Sequence, residues 1–114
     1  MIVIAWNNGA HARSGAGYGF RIHPDDRDAL FQHAWTSILL EVDTEPDPVE
    51  VKLDEEKFWG DPNYELQCPA VGRWLRHNGL APWARGNPPA FILEPVEGNT
   101  FRVVKGAKGP KSKI

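Results

Sequence analysis

Two strand-like segments, Thr36–Val42 and Val49–Leu53, are separated by only six residues, Asp43 to Pro48 (DTEPDP). In the second segment Val49, Val51 and Leu53 alternate with Glu50 and Lys52, the period-two pattern of a strand with one buried face. A parallel crossover needs about a dozen residues or more, so a short link of acidic and proline turn residues sets these strands antiparallel. The same logic predicts a second hairpin, Phe91–Val96 and Thr100–Val104, around Glu97-Gly98-Asn99. A chain whose strands return on themselves this quickly lacks the regular strand–helix alternation of doubly wound folds, which disfavours a Rossmann-type nucleotide site.

The remaining elements follow from periodicity and punctuation. Met1–Trp6 reads as a buried or central strand, and Phe20–Ile22 as a short extended piece. Pro24 suits the first position of a helix, with Asp25, Asp26 and Asp28 placed where the helix dipole favours negative charge. Ala29, Leu30, Phe31 and Ala34 follow at helical spacing, so this helix is expected to pack one face on a sheet and to end between Gln32 and Trp35. The second helix begins at Pro69, carries the apolar stripe Val71, Trp74 and Leu75, and ends with Arg76, His77 and a left-handed cap at Gly79, so that Leu80 contacts Leu75. Asp54–Gln67 is expected to be irregular, anchored by Phe58, Trp59 and Tyr64. Two short helices with about five mostly antiparallel strands give a small α+β domain, either an open sheet or a partly open barrel.

With 114 residues the chain fits one domain. Residues 1–104 are expected to form it, and 105–114, KGAKGPKSKI, to form a flexible Lys-rich tail. Charge divides the same way: the chain has 13 Lys+Arg against 15 Asp+Glu, but four of those lysines lie in the tail, leaving residues 1–104 with 9 basic and 15 acidic side chains. An acidic body argues against wrapping nucleic acid over a broad face, because phosphate affinity comes from clustered Lys and Arg. The single Cys68 excludes an internal disulfide, and the absence of Cys/His spacing of the zinc type gives no reason to expect a metal or cofactor. No apolar run is long enough to cross a membrane, so a cytoplasmic protein without membrane contact is expected.

Candidate binding residues concentrate in two places. The run Asn7–Gly19, NNGAHARSGAGYG, is too long and polar for a simple turn. Its Gly15, Gly17 and Gly19 are spaced GxGxG, which matches neither the dinucleotide fingerprint GxGxxG nor the phosphate loop GxxxxGK followed by Ser or Thr. Alternating glycines can still present backbone amides to an anion, with His11, Arg13 and Tyr18 beside them. The competing reading gives the glycines a turn-forming role while Tyr18 and Phe20 anchor the loop to the core. Trp83, bracketed by Pro82 and Arg85, reads equally as an exposed ring beside a guanidinium, suited to stacking, or as a ring packed against the second helix, whereas Trp6, Trp35 and Trp74 read as core and Trp59 as intermediate.

The expected function is a small noncatalytic binding or accessory domain. Its ligand-binding residues are His11, Arg13, Tyr18, Trp83 and Arg85, its partner class is nucleic acid or another anionic partner, and Arg13, Arg73, Arg76, Arg85 and Arg102 form a local basic strip. A small enzyme is the first alternative: Cys68 precedes a helix N-terminus, where the dipole can activate a thiol, and a loop histidine would serve as base. No catalytic residue is assigned. A protein–protein module, self-associating through an exposed hairpin edge, is the second alternative. The sequence sets no oligomeric state.

Overall fold

In the computed structural model, residues 1–106 are described. Residues 107–114 of the expected tail lie outside them, while Lys105 belongs to the last strand. The apolar start of the chain becomes β1 (Ile2–Asn7), which turns through the glycine-rich run into β2 (Tyr18–Arg21), pairing antiparallel from Ile4↔Arg21 to Asn7↔Tyr18. There follow α1 (Pro24–Leu30), β3 (Ser37–Glu41), β4 (Val49–Lys52), α2 (Glu55–Gly60), β5 (Glu65–Gln67), α3 (Pro69–His77), β6 (Ala90–Glu97) and β7 (Thr100–Lys105).

All seven strands join one sheet in the order β4-β3-β7-β6-β1-β2-β5, and the outer strands β4 and β5 approach each other, so the sheet is nearly closed into a barrel. Both predicted hairpins form, β3 with β4 and β6 with β7. The sheet is nevertheless mixed, because β3 and β7 run parallel from Leu39↔Thr100 to Glu41↔Arg102. Alternation along the strands sends Val3, Phe20, Ile38, Leu40, Leu66, Phe91, Leu93 and Phe101 inward, where each is essentially buried. Removing one such side chain from water contributes about 1.5–3 kcal/mol. No helix among the described residues is long and apolar enough to cross a membrane.

Helix α3 is built as its sequence predicts. Pro69 occupies its first turn, and Val71, Trp74 and Leu75 are buried, with the Trp74 ring 5.5 Å from Phe91. Gly79, at φ 72°, donates its N–H to the Arg76 carbonyl at 3.1 Å, and Leu80 donates to Leu75 at 2.8 Å, the paired bonds of a Schellman stop. Gly72 lets the helix lie flush on β2, since a Cβ there would stand 2.5 Å from Tyr18 Cδ2.

Three expectations are corrected. There are three helices and seven strands among the described residues, instead of two helices and about five strands. The segment expected to be irregular contains α2, whose N-cap Asp54 accepts the Lys57 N–H at 3.0 Å, and the three-residue β5. Both elements are shorter than the window over which hydrophobic periodicity reports. Finally, α1 stops at Leu30 and buries none of its own residues. Its C-cap Phe31 turns extended (φ −109°, ψ 147°) and packs instead, stacking on Phe101 at 5.2 Å and meeting Phe58 at 5.1 Å.

Candidate functional site

The glycine-rich loop is not an open row of donors. Asn7 Oδ1 accepts the N–H groups of Gly9 (2.7 Å) and His11 (3.1 Å), and Asn8 Oδ1 accepts that of Ala10 (3.0 Å). Asn8 donates to the Gly17 carbonyl, Gly15 to Ala12, Tyr18 to Gly15, and Ala16 to Ser14 Oγ. Asparagine side chains thus fold back onto nearby amides, as they do in Asx turns, and take up part of the loop's donors, while the N–H groups of Ala12, Arg13, Ser14 and Gly17 have no partner among the described residues. Helix α3 then holds the loop down. Arg73 Nη1 donates to the Ser14 carbonyl at 2.9 Å, Arg76 Nη1 donates to the His11 carbonyl at 3.1 Å, and Gly15 sits so tightly against the Pro69 carbonyl that a side chain has no room.

Folding the loop this way assembles an aromatic group. His11, in the left-handed region at φ 49°, places Nδ1 2.8 Å from the Tyr18 hydroxyl. Trp83 arrives from the loop after α3 and meets both rings edge-on, with centroids 4.8 Å from His11 and 5.7 Å from Tyr18. Tyr18 is fully buried, while His11 and Trp83 are half-buried at the surface. Three of the predicted binding residues thus meet. The other two, Arg13 and Arg85, each stand two positions along the chain from a member of the trio, are exposed, and make no ion pair among the described residues.

Two of the five arginines of the expected strip are engaged by acids. Arg73 pairs with Glu45 at 3.0 Å, Arg102 with Glu41 at 3.2 Å, and Arg76 is committed to the His11 carbonyl. These contacts add little stability individually, and Arg76, bonded to a neutral carbonyl, keeps its charge. Away from the strip, Arg21 pairs with Glu65, and Arg27 with Asp28 while resting 5.4 Å from the Trp59 ring, on which His33 stacks at 3.6 Å.

Cys68 does occupy the N-cap of α3, but its side chain makes no capping bond and is 2% exposed. Burial pushes the thiol up, outweighing the opposing pull of the Val71 and Ala70 amides and of Arg73. A buried, protonated thiol is a packing group, so the position offers no activated nucleophile.

One site escaped the sequence reading. A cavity of about 570 Å³ lies between the β3–β4 connection, the end of β7 and α3, with Asp43, Glu45 and Asp47 along one wall and Trp74 and Asn78 on another. The sequence signal was the alternation of carboxylates in DTEPDP, which turn formation alone accounts for. Comparison with protein-family models, curated proteins and solved structures finds no match to this chain.

Proposed function

We propose that the protein is a noncatalytic binding domain that takes single-stranded nucleic acid on the surface where the glycine-rich loop meets Trp83. The observation that carries this reading is the half-buried Trp83 ring held edge-on by His11 and Tyr18. A ring fixed by two neighbours loses little freedom when a base stacks on it, and base–aromatic stacking is worth about 1–3 kcal/mol per base. Arg13 and Arg85 supply the backbone attraction, being outside the ion pairs that occupy Arg21, Arg27, Arg73 and Arg102. The acidic remainder of residues 1–104 disfavours duplex, which requires a wide basic face, and favours a short unpaired strand.

Fluorescence anisotropy of a labelled oligonucleotide of about 12 unpaired nucleotides tests this directly. Two phosphate contacts give a logarithmic salt slope near about −1.4, so affinity falls roughly sevenfold between about 50 and 200 mM salt. Trp83→Ala is expected to abolish most binding without changing that slope. Arg13→Ala and Arg85→Ala should each flatten it. Equal affinity of Trp83→Ala and the unaltered protein would remove the reading.

A further inference from the structure

The parallel pairing of β3 and β7 stops at Glu41↔Arg102, whereas β7 continues beside β6 to Phe91↔Lys105. Past Glu41 the chain leaves the sheet into the connection carrying Pro46 and Pro48. Among the described residues, Val104 and Lys105 therefore have a strand neighbour on one side only. The 570 Å³ cavity opens at that bare edge, between the proline connection and Trp74 of α3. It is open to solvent along its length, so a chain segment can lie in it.

Two properties specify the occupant. An unpaired strand edge presents main-chain N–H and C=O groups at strand spacing, which an extended peptide satisfies by adding a strand. The lining is acidic on balance, with Glu41, Asp43, Glu45 and Asp47 against Arg102 and Lys105: Arg102 engages Glu41 and Arg73 engages Glu45, while Asp43 and Asp47 are exposed and make no ion pair among the described residues. Proline on either side of Asp47 restricts the backbone that carries it, so the carboxylate is held near the edge at small entropic cost. We infer that this cavity binds an extended basic peptide of a partner protein, which pairs with β7 beyond Arg102 and sets a Lys or Arg side chain against Asp43 and Asp47. The site shares no residue with the Trp83 surface, so it stands or falls independently of the proposed nucleic-acid binding.

The test uses the full chain and calorimetric titration with acetyl-Val-Lys-Val-Lys-Val-amide. Binding is expected, with at least about a tenfold loss in an Asp43→Asn/Asp47→Asn variant. Both positions are exposed, and an unchanged melting curve verifies that the variant folds. Methylating alternate backbone amides of the peptide should abolish binding, and replacing its lysines by glutamates should do the same. Trp83→Ala should bind the peptide normally. No heat with the lysine peptide, or equal affinity for the N-methylated peptide, overturns the inference. Binding of spermidine with the same sensitivity to the double variant also overturns it, by showing a simple cation site.

Discussion

Nδ1 of His11 lies 2.8 Å from the hydroxyl of Tyr18, so the buried tyrosine of β2 finds its polar partner in the loop that closes over it. Binding surface and stability are coupled through this contact. His11→Ala leaves a buried hydroxyl unsatisfied and is expected to cost about 1–3 kcal/mol in urea unfolding, against about 0.5–1.5 kcal/mol for Tyr18→Phe, which removes the hydroxyl itself. The double variant should cost less than the sum. His11→Gly should be milder than His11→Ala, because φ 49° suits glycine.

Gly72 permits the close seat of α3 on Tyr18, and this makes it the sharpest steric probe of the site. A methyl group there meets Tyr18 Cδ2 at 2.5 Å and Cβ at 2.6 Å, too short for any real contact, so the ring or the helix must move. Gly72→Ala is expected to destabilise by about 1–3 kcal/mol, despite alanine's better helix propensity. A shift in the near-ultraviolet circular dichroism of Tyr18 and Trp83 should accompany the loss. A neutral or stabilising result would mean that the helix does not sit on the ring.

Local signals in the sequence carried much of this fold. The Gly79 stop, the apolar stripe of α3 and both hairpins depend on residues close in the chain, and all appear as read. Elements too short to show periodicity, α2 and β5, did not. The parallel contact of β3 with β7 was equally hidden, since neither strand's own pattern records which neighbour it meets across the sheet. The site divides along the same line. Asn7 and Asn8 beside Gly9 are turn residues by type, and their side chains do accept nearby amides, but the meeting of Trp83 with His11 exists only once α3 has delivered the two loops to one place.

Cys68 gives a pH dependence whose sign is fixed. Burial raises its thiol above the ordinary value of 9.0 in the folded protein, while the unfolded chain keeps that ordinary value. Below it, both states hold the proton and stability is unaffected. Above it, the unfolded state loses the proton first, so stability declines as pH climbs toward the native value, by at most about 1.4 kcal/mol per pH unit. Cys68→Ala should lack this component of the alkaline decline in urea midpoints. Near neutral pH, iodoacetamide should alkylate the folded protein slowly and the urea-unfolded protein rapidly; fast labelling of the native state would contradict the buried, protonated thiol.

Phe31 anchors a helix that has no buried residue of its own. Because α1 contributes nothing to the core between Pro24 and Leu30, its attachment depends on the ring immediately after it, which touches Phe101, Phe58 and Trp35. Phe31→Ala removes those contacts and leaves a cavity beside Phe101, a change that costs about 3–5 kcal/mol in well-packed cores. That is a large share of the roughly 5–15 kcal/mol that holds a typical domain folded. The loss should also be uneven. A seven-residue helix is too short to persist without tertiary contacts, so hydrogen exchange in Phe31→Ala should show α1 amides unprotected while those of β1, β6 and α3 remain slow. Phe31→Leu, which keeps an apolar group of similar reach, should restore most of the protection. If α1 stays protected in Phe31→Ala, its capping by His23 and the Arg27 contacts with Asp28 and the Phe58 carbonyl hold the helix instead.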